Sequence, residues 1–128
     1  MEPKQNMVGW FEIPTSDFKR AVNFYESVFS VKLTVQDLGQ FKMALFPATD
    51  KQGAAGALVN FEASYTPSDE GVLIYFTSPS DDLAKEEAKI VSAGGMVLIS
   101  KRMISENMGF MGLFKDTEGN RFGIRSKN

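Results

Sequence analysis

The sequence predicts an α+β fold in which two strand–helix–three-strand (βαβββ) modules pair into a cupped, incompletely closed mixed β-sheet barrel with the helices outside. Three observations predict it. An apolar strand followed by an amphipathic helix begins near Val8 and again near Val72, a repeat of roughly 64 residues. Each helix is followed by three short stretches of strand character. Neither half carries enough apolar area to fold alone, because a helical stripe and one sheet face each need a partner layer. Residue identity between the halves is low, so the repeat is one of pattern. A plain α+β domain whose halves match by chance is the competing reading.

The elements follow in order. Met7 to Ile13 is a short apolar run ending at Pro14, a strand stop. Thr15-Ser16-Asp17 opens a helix over 17–29: a Ser or Thr cap accepts the free amides, and Asp17 suits the positive helix end. Phe18, Ala21, Val22, Tyr25, Val28 and Phe29 form one apolar stripe, with Lys19, Arg20, Asn23 and Glu26 on the wet face. Val31, Leu33 and Val35 alternate with polar residues as a strand. Gly39-Gln40 turns the chain into a second strand of Phe41, Met43 and Leu45. Pro47 to Gly53 is a polar loop, and Gly56 to Phe61 is a third strand. Glu62 to Gly71 reads as a linker. Val72 to Phe76 then restarts the pattern as a strand. Ser80 and two acids open a second helix, with Leu83, Ala84, Ala88, Ile90 and Val91 inside and Lys85, Glu86, Glu87 and Lys89 outside. Gly94-Gly95 ends it. Met96 to Ile99, Phe110 to Phe114 and Arg121 to Ile124 are the closing strands, the last two joined by the turn 116–120.

Composition excludes several functions. The chain has 128 residues, the size of one ordinary domain. A net charge of −2 leaves no basic surplus for a phosphate backbone, so no nucleic-acid partner is expected. No Cys and no His are present. Disulfides, thiolate nucleophiles, Ser-His-Asp triads and zinc sites with nitrogen or sulfur ligands are therefore excluded. The longest apolar runs, Met96 to Ile99 and Val72 to Phe76, are too short to span a bilayer, and no membrane partner is expected. The polar start, Met1 to Asn6, lacks a signal-peptide core, which predicts a cytoplasmic protein.

Val8-Gly9-Trp10-Phe11-Glu12-Ile13-Pro14-Thr15-Ser16-Asp17, then Arg20-Ala21-Val22, Phe24-Tyr25 and Val28-Phe29, resemble the opening of the vicinal oxygen chelate superfamily. Glyoxalase I, bleomycin-resistance proteins, fosfomycin-resistance proteins and extradiol dioxygenases belong to it. Leu113 to Gly123 resembles its closing turn and last strand. Tyr65-Thr66-Pro67, Tyr75-Phe76 and Ala93-Gly94-Gly95 are similar to a branch described as enzymes related to lactoylglutathione lyase. The resemblance implies a single domain over 7–126, made of modules 7–62 and 71–126. It also implies a homodimer with cavities near the interface. Metal-dependent members hold a divalent ion with His, Gln or Glu at three sheet positions. Those positions fall here on Trp10, on one of Leu73, Ile74 and Tyr75, and on Gly123. None is a usual ligand, so no metal and no cofactor is expected.

Candidate site residues follow. Trp10 either stacks on a planar ligand or plugs the cup as core. Glu12, on the same strand face, either serves as a general base or pairs with Arg121 or Arg125. Tyr75 either donates a hydrogen bond to a ligand or is core. Phe110 and Met111 lie in an adaptable apolar rim or in ordinary strand packing. Leu73, Gly123 and Arg125 complete the expected ligand-binding set. The predicted function is metal-independent binding of a small apolar or aromatic molecule. The alternatives are a lyase or isomerase with Glu12 as base, or metal-dependent activity like that of lactoylglutathione lyase. A protein–protein adaptor is the weakest reading, for want of an apolar surface stripe.

Overall fold

The computed structural model describes residues 2–49 and 53–128. The first half runs β1 (Trp10–Pro14), α1 (Phe18–Phe29), β2 (Thr34–Asp37), β3 (Lys42–Leu45) and β4 (Ala55–Asn60). The second runs β5 (Ile74–Thr77), α2 (Leu83–Ile90), β6 (Met96–Ser105), β7 (Gly109–Lys115) and β8 (Arg121–Ser126). The strand orders are β1-β4-β3-β2 and β5-β8-β7-β6. The pairs β1–β4 and β5–β8 are parallel and the others antiparallel, so both sheets are mixed. The duplicated βαβββ arrangement is therefore present, and among the described residues neither sheet closes into a barrel. Part of the predicted loop from Pro47 to Gly53, positions 50–52, lies outside the described residues.

Helix α1 forms as its stripe predicts, burying Ala21, Val22, Phe24, Tyr25, Val28 and Phe29. Its cap is Asp17, whose carboxylate accepts from the Arg20 amide at 3.1 Å. Thr15 does not cap, because its hydroxyl is donated to the Val59 carbonyl. Helix α2 departs further from the sequence reading. It buries Leu83, Glu86 and Ile90, whereas Ala84, Ala88 and Val91 are exposed. Glu86 turns inward because the Ser78 hydroxyl, in the loop after β5, donates to its carboxylate. Asp82 rather than Ser80 caps the helix.

Two strands also differ. Val31 and Leu33 pack into the core before β2 begins, with the Leu33 amide bonded to the Glu26 side chain at 2.9 Å. Strand β6 continues six residues past the predicted Ile99, through a polar stretch. The extension is the ladder to β7, where Arg102 pairs with Met111, Met103 with Phe110 and Ser105 with Gly109; within it the Lys101 ammonium lies 4.6 Å above the Phe110 ring and pairs with Asp82 at 2.8 Å. The long stem thus covers apolar surface while the charge is satisfied.

The two halves share one aromatic core. Tyr25, fully buried on α1, lies within 5.1–6.2 Å (ring centroids) of Phe24, Phe29, Phe46, Phe76 and Phe122. Phe46 comes from the first half, and Phe76 and Phe122 come from the second. A polar latch reinforces this joint. The Tyr25 hydroxyl donates to Asp116 at 2.7 Å, and Asn120 donates to the Pro14 carbonyl at 2.8 Å. Glu118 accepts the Ser16 and Asp17 amides at 2.9 and 2.7 Å and pairs with Arg20 at 2.8 Å. A carboxylate from the second half therefore sits at the positive end of the helix in the first.

The latch carries opposed pH signatures. Burial, the largest influence on Glu118, works to raise its pKa. The Arg20 guanidinium and the bonded amides outweigh it and hold the carboxyl below its ordinary value. Burial pushes Asp116 above the ordinary value despite its donors. Glu118 thus stabilises the fold above the unfolded carboxyl pKa, and that contribution is lost as pH falls through the lowered folded value. Asp116 contributes in the reverse sense, being favoured at low pH and losing its contribution as pH rises. Glu118→Gln is expected to cost about 1–2 kcal/mol at neutral pH, mostly through amide bonds because Arg20 is half exposed. Urea unfolding across the acid range checks it: the gap between wild type and variant narrows as pH drops.

Candidate functional site

Strands β1 and β5 are each the edge of their sheet. A cavity of about 1030 Å³ lies along both, with walls from β1, β5, the start of β8 and the linker around Thr66, Ser68 and Glu70. Strand alternation sets what each edge presents. Phe11 and Ile13 join the core beneath the helices, which leaves Trp10 and Glu12 on the opposite face. On β5, Ile74 and Phe76 pack against the core, leaving Tyr75 outward.

Trp10 is 43% exposed and Tyr75 is 42% exposed. Trp10 is thus an aromatic plate at the cavity and does not plug it as core. The Tyr75 ring lies over Gly123: a Cβ there would fall 2.4 Å from a ring carbon. Gly123 does not itself line the cavity; it makes room for the ring. Gly123→Ala is expected to push the part-exposed Tyr75 ring off its seat with little loss of stability and, if the cavity takes a stacked aromatic ligand, to weaken its binding about tenfold. Parallel ligand titrations and thermal melts of the two proteins check it.

Glu12 faces the cavity, and both of its oxygens are engaged. Oε2 accepts from Trp10 Nε1 at 3.2 Å, and Oε1 accepts from the Tyr65 hydroxyl at 2.5 Å. The bond to Glu12 raises the Tyr65 pKa. The expected alternative, an ion pair to Arg121 or Arg125, is not formed: Arg125 donates to the Met108 carbonyl at 3.0 Å, and Arg121 forms no ion pair among the described residues. The sequence places Tyr65 in a polar linker and in a motif of the family resemblance, and neither gives it a role at the site. An aromatic residue there was the one signal, and its ring rests on Phe61 at 5.9 Å.

The remaining candidates divide. Leu73 lines the cavity just before β5. Phe110 sits on the helix side of β7 beneath Lys101, and Met111 pairs with Arg125 across β7 and β8. Neither they nor Arg125 borders the cavity. Arg121, at the start of β8, does border it.

The Glyoxalase/Bleomycin resistance protein/Dioxygenase superfamily model matches residues 7–124. The chain belongs to that superfamily. No curated protein matches it at a significant level. Solved structures share the fold at low identity. A glyoxalase I mutant from Zea mays superposes with a TM-score of 0.69 at 16% identity, over 93% of this chain and 46% of the maize chain. The present chain thus spans less than half the length of that enzyme. TnmS3, an antibiotic binding protein from Streptomyces sp. CB03234, matches at a TM-score of 0.67 and 20% identity, over 99% of this chain and all of its own. A glyoxalase/bleomycin resistance protein from Albidiferax ferrireducens T118 matches at 0.70 and 11% identity, over 96% of this chain and all of its own.

Membership makes a divalent metal the group to test against the residues present. The three positions at which the superfamily resemblance places ligands carry Trp10, a residue among Leu73, Ile74 and Tyr75, and Gly123. Among the described residues no three Asp, Glu, His or Cys side chains cluster as a metal-holding set. Glu12 is one carboxylate, with each oxygen already accepting a hydrogen bond. This donor set does not fit the site of three protein ligands that the superfamily's metal-dependent members use.

Proposed function

We propose that this glyoxalase-superfamily member binds a small apolar or aromatic molecule, without a metal ion, in the cavity between β1 and β5. The observation that carries the reading is the pair Trp10 and Tyr75, one on each edge strand, each presenting a large ring to one cavity rather than to the core. Pockets for small ligands run to roughly 300–1,000 Å³ and are walled by apolar and aromatic groups with a few polar ones, and this cavity is of that kind. TnmS3, which matches over its whole length, is described as an antibiotic binding protein and supports the same reading. The reading takes 7–126 as one domain of modules 7–62 and 71–126, acting as a cytoplasmic homodimer. Sedimentation of the purified chain tests the dimer.

A thermal-shift screen of planar aromatic compounds in the presence of a chelator tests the binding. Hits are expected to raise the melting temperature of the wild type and to do so far less for Trp10→Ala. A screen in which no compound stabilises the chelated protein contradicts the reading.

A second reading is favoured by Glu12, whose carboxylate lines the cavity. In it Glu12 is the general base of a lyase or isomerase, taking a proton beside a carbonyl. Glu12→Gln separates the readings: it abolishes turnover if Glu12 is the base and leaves ligand affinity nearly unchanged if the site only binds.

A further inference from the structure

We propose that the molecule taken by this cavity carries a carboxylate, and that Arg121 is the residue that selects it. The inference rests on the binding reading above and adds the chemical class of the ligand. Arg121 is the one cationic side chain among the described residues that lines the cavity. Its Nε is buried and has no hydrogen-bond partner, and no other described side-chain nitrogen or oxygen is left in that state. Buried donors are almost always satisfied, so this orphan marks Arg121 as a cation the chain does not fully pair, and the part-exposed remainder of the side chain borders the cavity, where an acceptor from outside the chain can meet it.

The neighbouring acids do not supply it. Asp69 is paired with Lys115 at 3.0 Å. Glu12 is held by Trp10 and Tyr65. Glu70 borders the cavity but forms no ion pair with Arg121. Lys115 chiefly, and the Arg121 charge in smaller part, hold the Asp69 carboxyl below its ordinary value, but no carboxylate forms an ion pair with the Arg121 guanidinium, so its planar fork is open to one, its natural complement.

Position joins the fork to the aromatic plates. Ile74 pairs with Phe122, which places Arg121 beside Leu73 and one strand away from Tyr75. The preceding residue, Asn120, donates to the Pro14 carbonyl at 2.8 Å and so ties the start of β8 to the end of β1, the strand of Trp10 and Glu12. A planar ligand between the rings has Arg121 within the same cavity to receive a charged end.

Calorimetric titration with naphthoate and naphthamide tests this, because the two share a ring system and differ in charge. Naphthoate is expected to bind the wild type about tenfold more tightly than naphthamide. Arg121→Gln is expected to bring the two within about twofold by weakening naphthoate alone, and Arg121→Lys to retain part of the preference. Equal affinities in the wild type overturn the carboxylate inference and leave the binding reading standing. A preference that survives in Arg121→Gln overturns the role of Arg121. Failure of both compounds to bind counts against the binding reading, and the inference falls with it.

Discussion

Asp116→Ala is expected to cost about 3–5 kcal/mol of folding stability, because several buried donors lose their acceptor at once and each unsatisfied group costs about 1–3 kcal/mol. Asp116 is buried and accepts four hydrogen bonds: from the Tyr25 hydroxyl at 2.7 Å, the Glu118 amide at 2.8 Å, the Asn120 amide at 2.9 Å and Asn120 Nδ2 at 3.1 Å. Removing it strips the turn of its organiser and leaves the Tyr25 hydroxyl, fully buried, with no acceptor. Tyr25→Phe removes the hydroxyl instead and is expected to cost about 1–2 kcal/mol, because Asp116 keeps its other donors. The combination is diagnostic. In the Asp116→Ala background the hydroxyl is a liability, so adding Tyr25→Phe is expected to cost almost nothing or to restore stability. Urea unfolding of the four proteins measures the coupling. Additive losses would mean that the two halves are not joined through this bond.

Phe122→Ala is expected to cost a comparable amount, about 3–5 kcal/mol, for an apolar reason. Phe122 is 1% exposed, and the rings of Phe24, Tyr25, Phe29, Phe76 and Phe114 lie 5.6–6.3 Å from its own. These rings come from α1, β5 and β7, so little can move to fill the void. Because Phe122 also borders the cavity, its loss deepens the binding space as well as loosening the core. Phe122→Leu keeps much of the volume and is expected to cost less than half as much. Thermal and urea unfolding check both variants; an alanine variant within about 1 kcal/mol of wild type would show that the halves pack independently.

The parts legible in the sequence are those written in local spacing. The stripe from Phe18 to Phe29 gives α1, and its return at Leu83 gives the duplication. Alternation at Trp10 and Glu12 puts both on one face, as their side chains are. What escaped the sequence reading depends on contacts between distant residues. Glu118 caps a helix about a hundred positions earlier, and Tyr65 reaches Glu12 across 53 positions, separations that no periodicity records. Glu86 reads as a wet-face residue until the Ser78 hydroxyl supplies its partner. Phe110 looked like cavity rim because its apolar flanks fit either face; Lys101 shows which one it covers.

Trp10 is the single tryptophan of the chain, so a fluorotryptophan label reports on one wall of the cavity and nowhere else. Fluorine NMR of the labelled, chelator-treated protein during titration with naphthoate and naphthamide observes that wall directly. One resonance that shifts and saturates is expected, with the same midpoint whether or not a divalent cation is added back. A resonance that stays still at saturating compound, or moves only once the cation is present, would contradict metal-free binding at this wall.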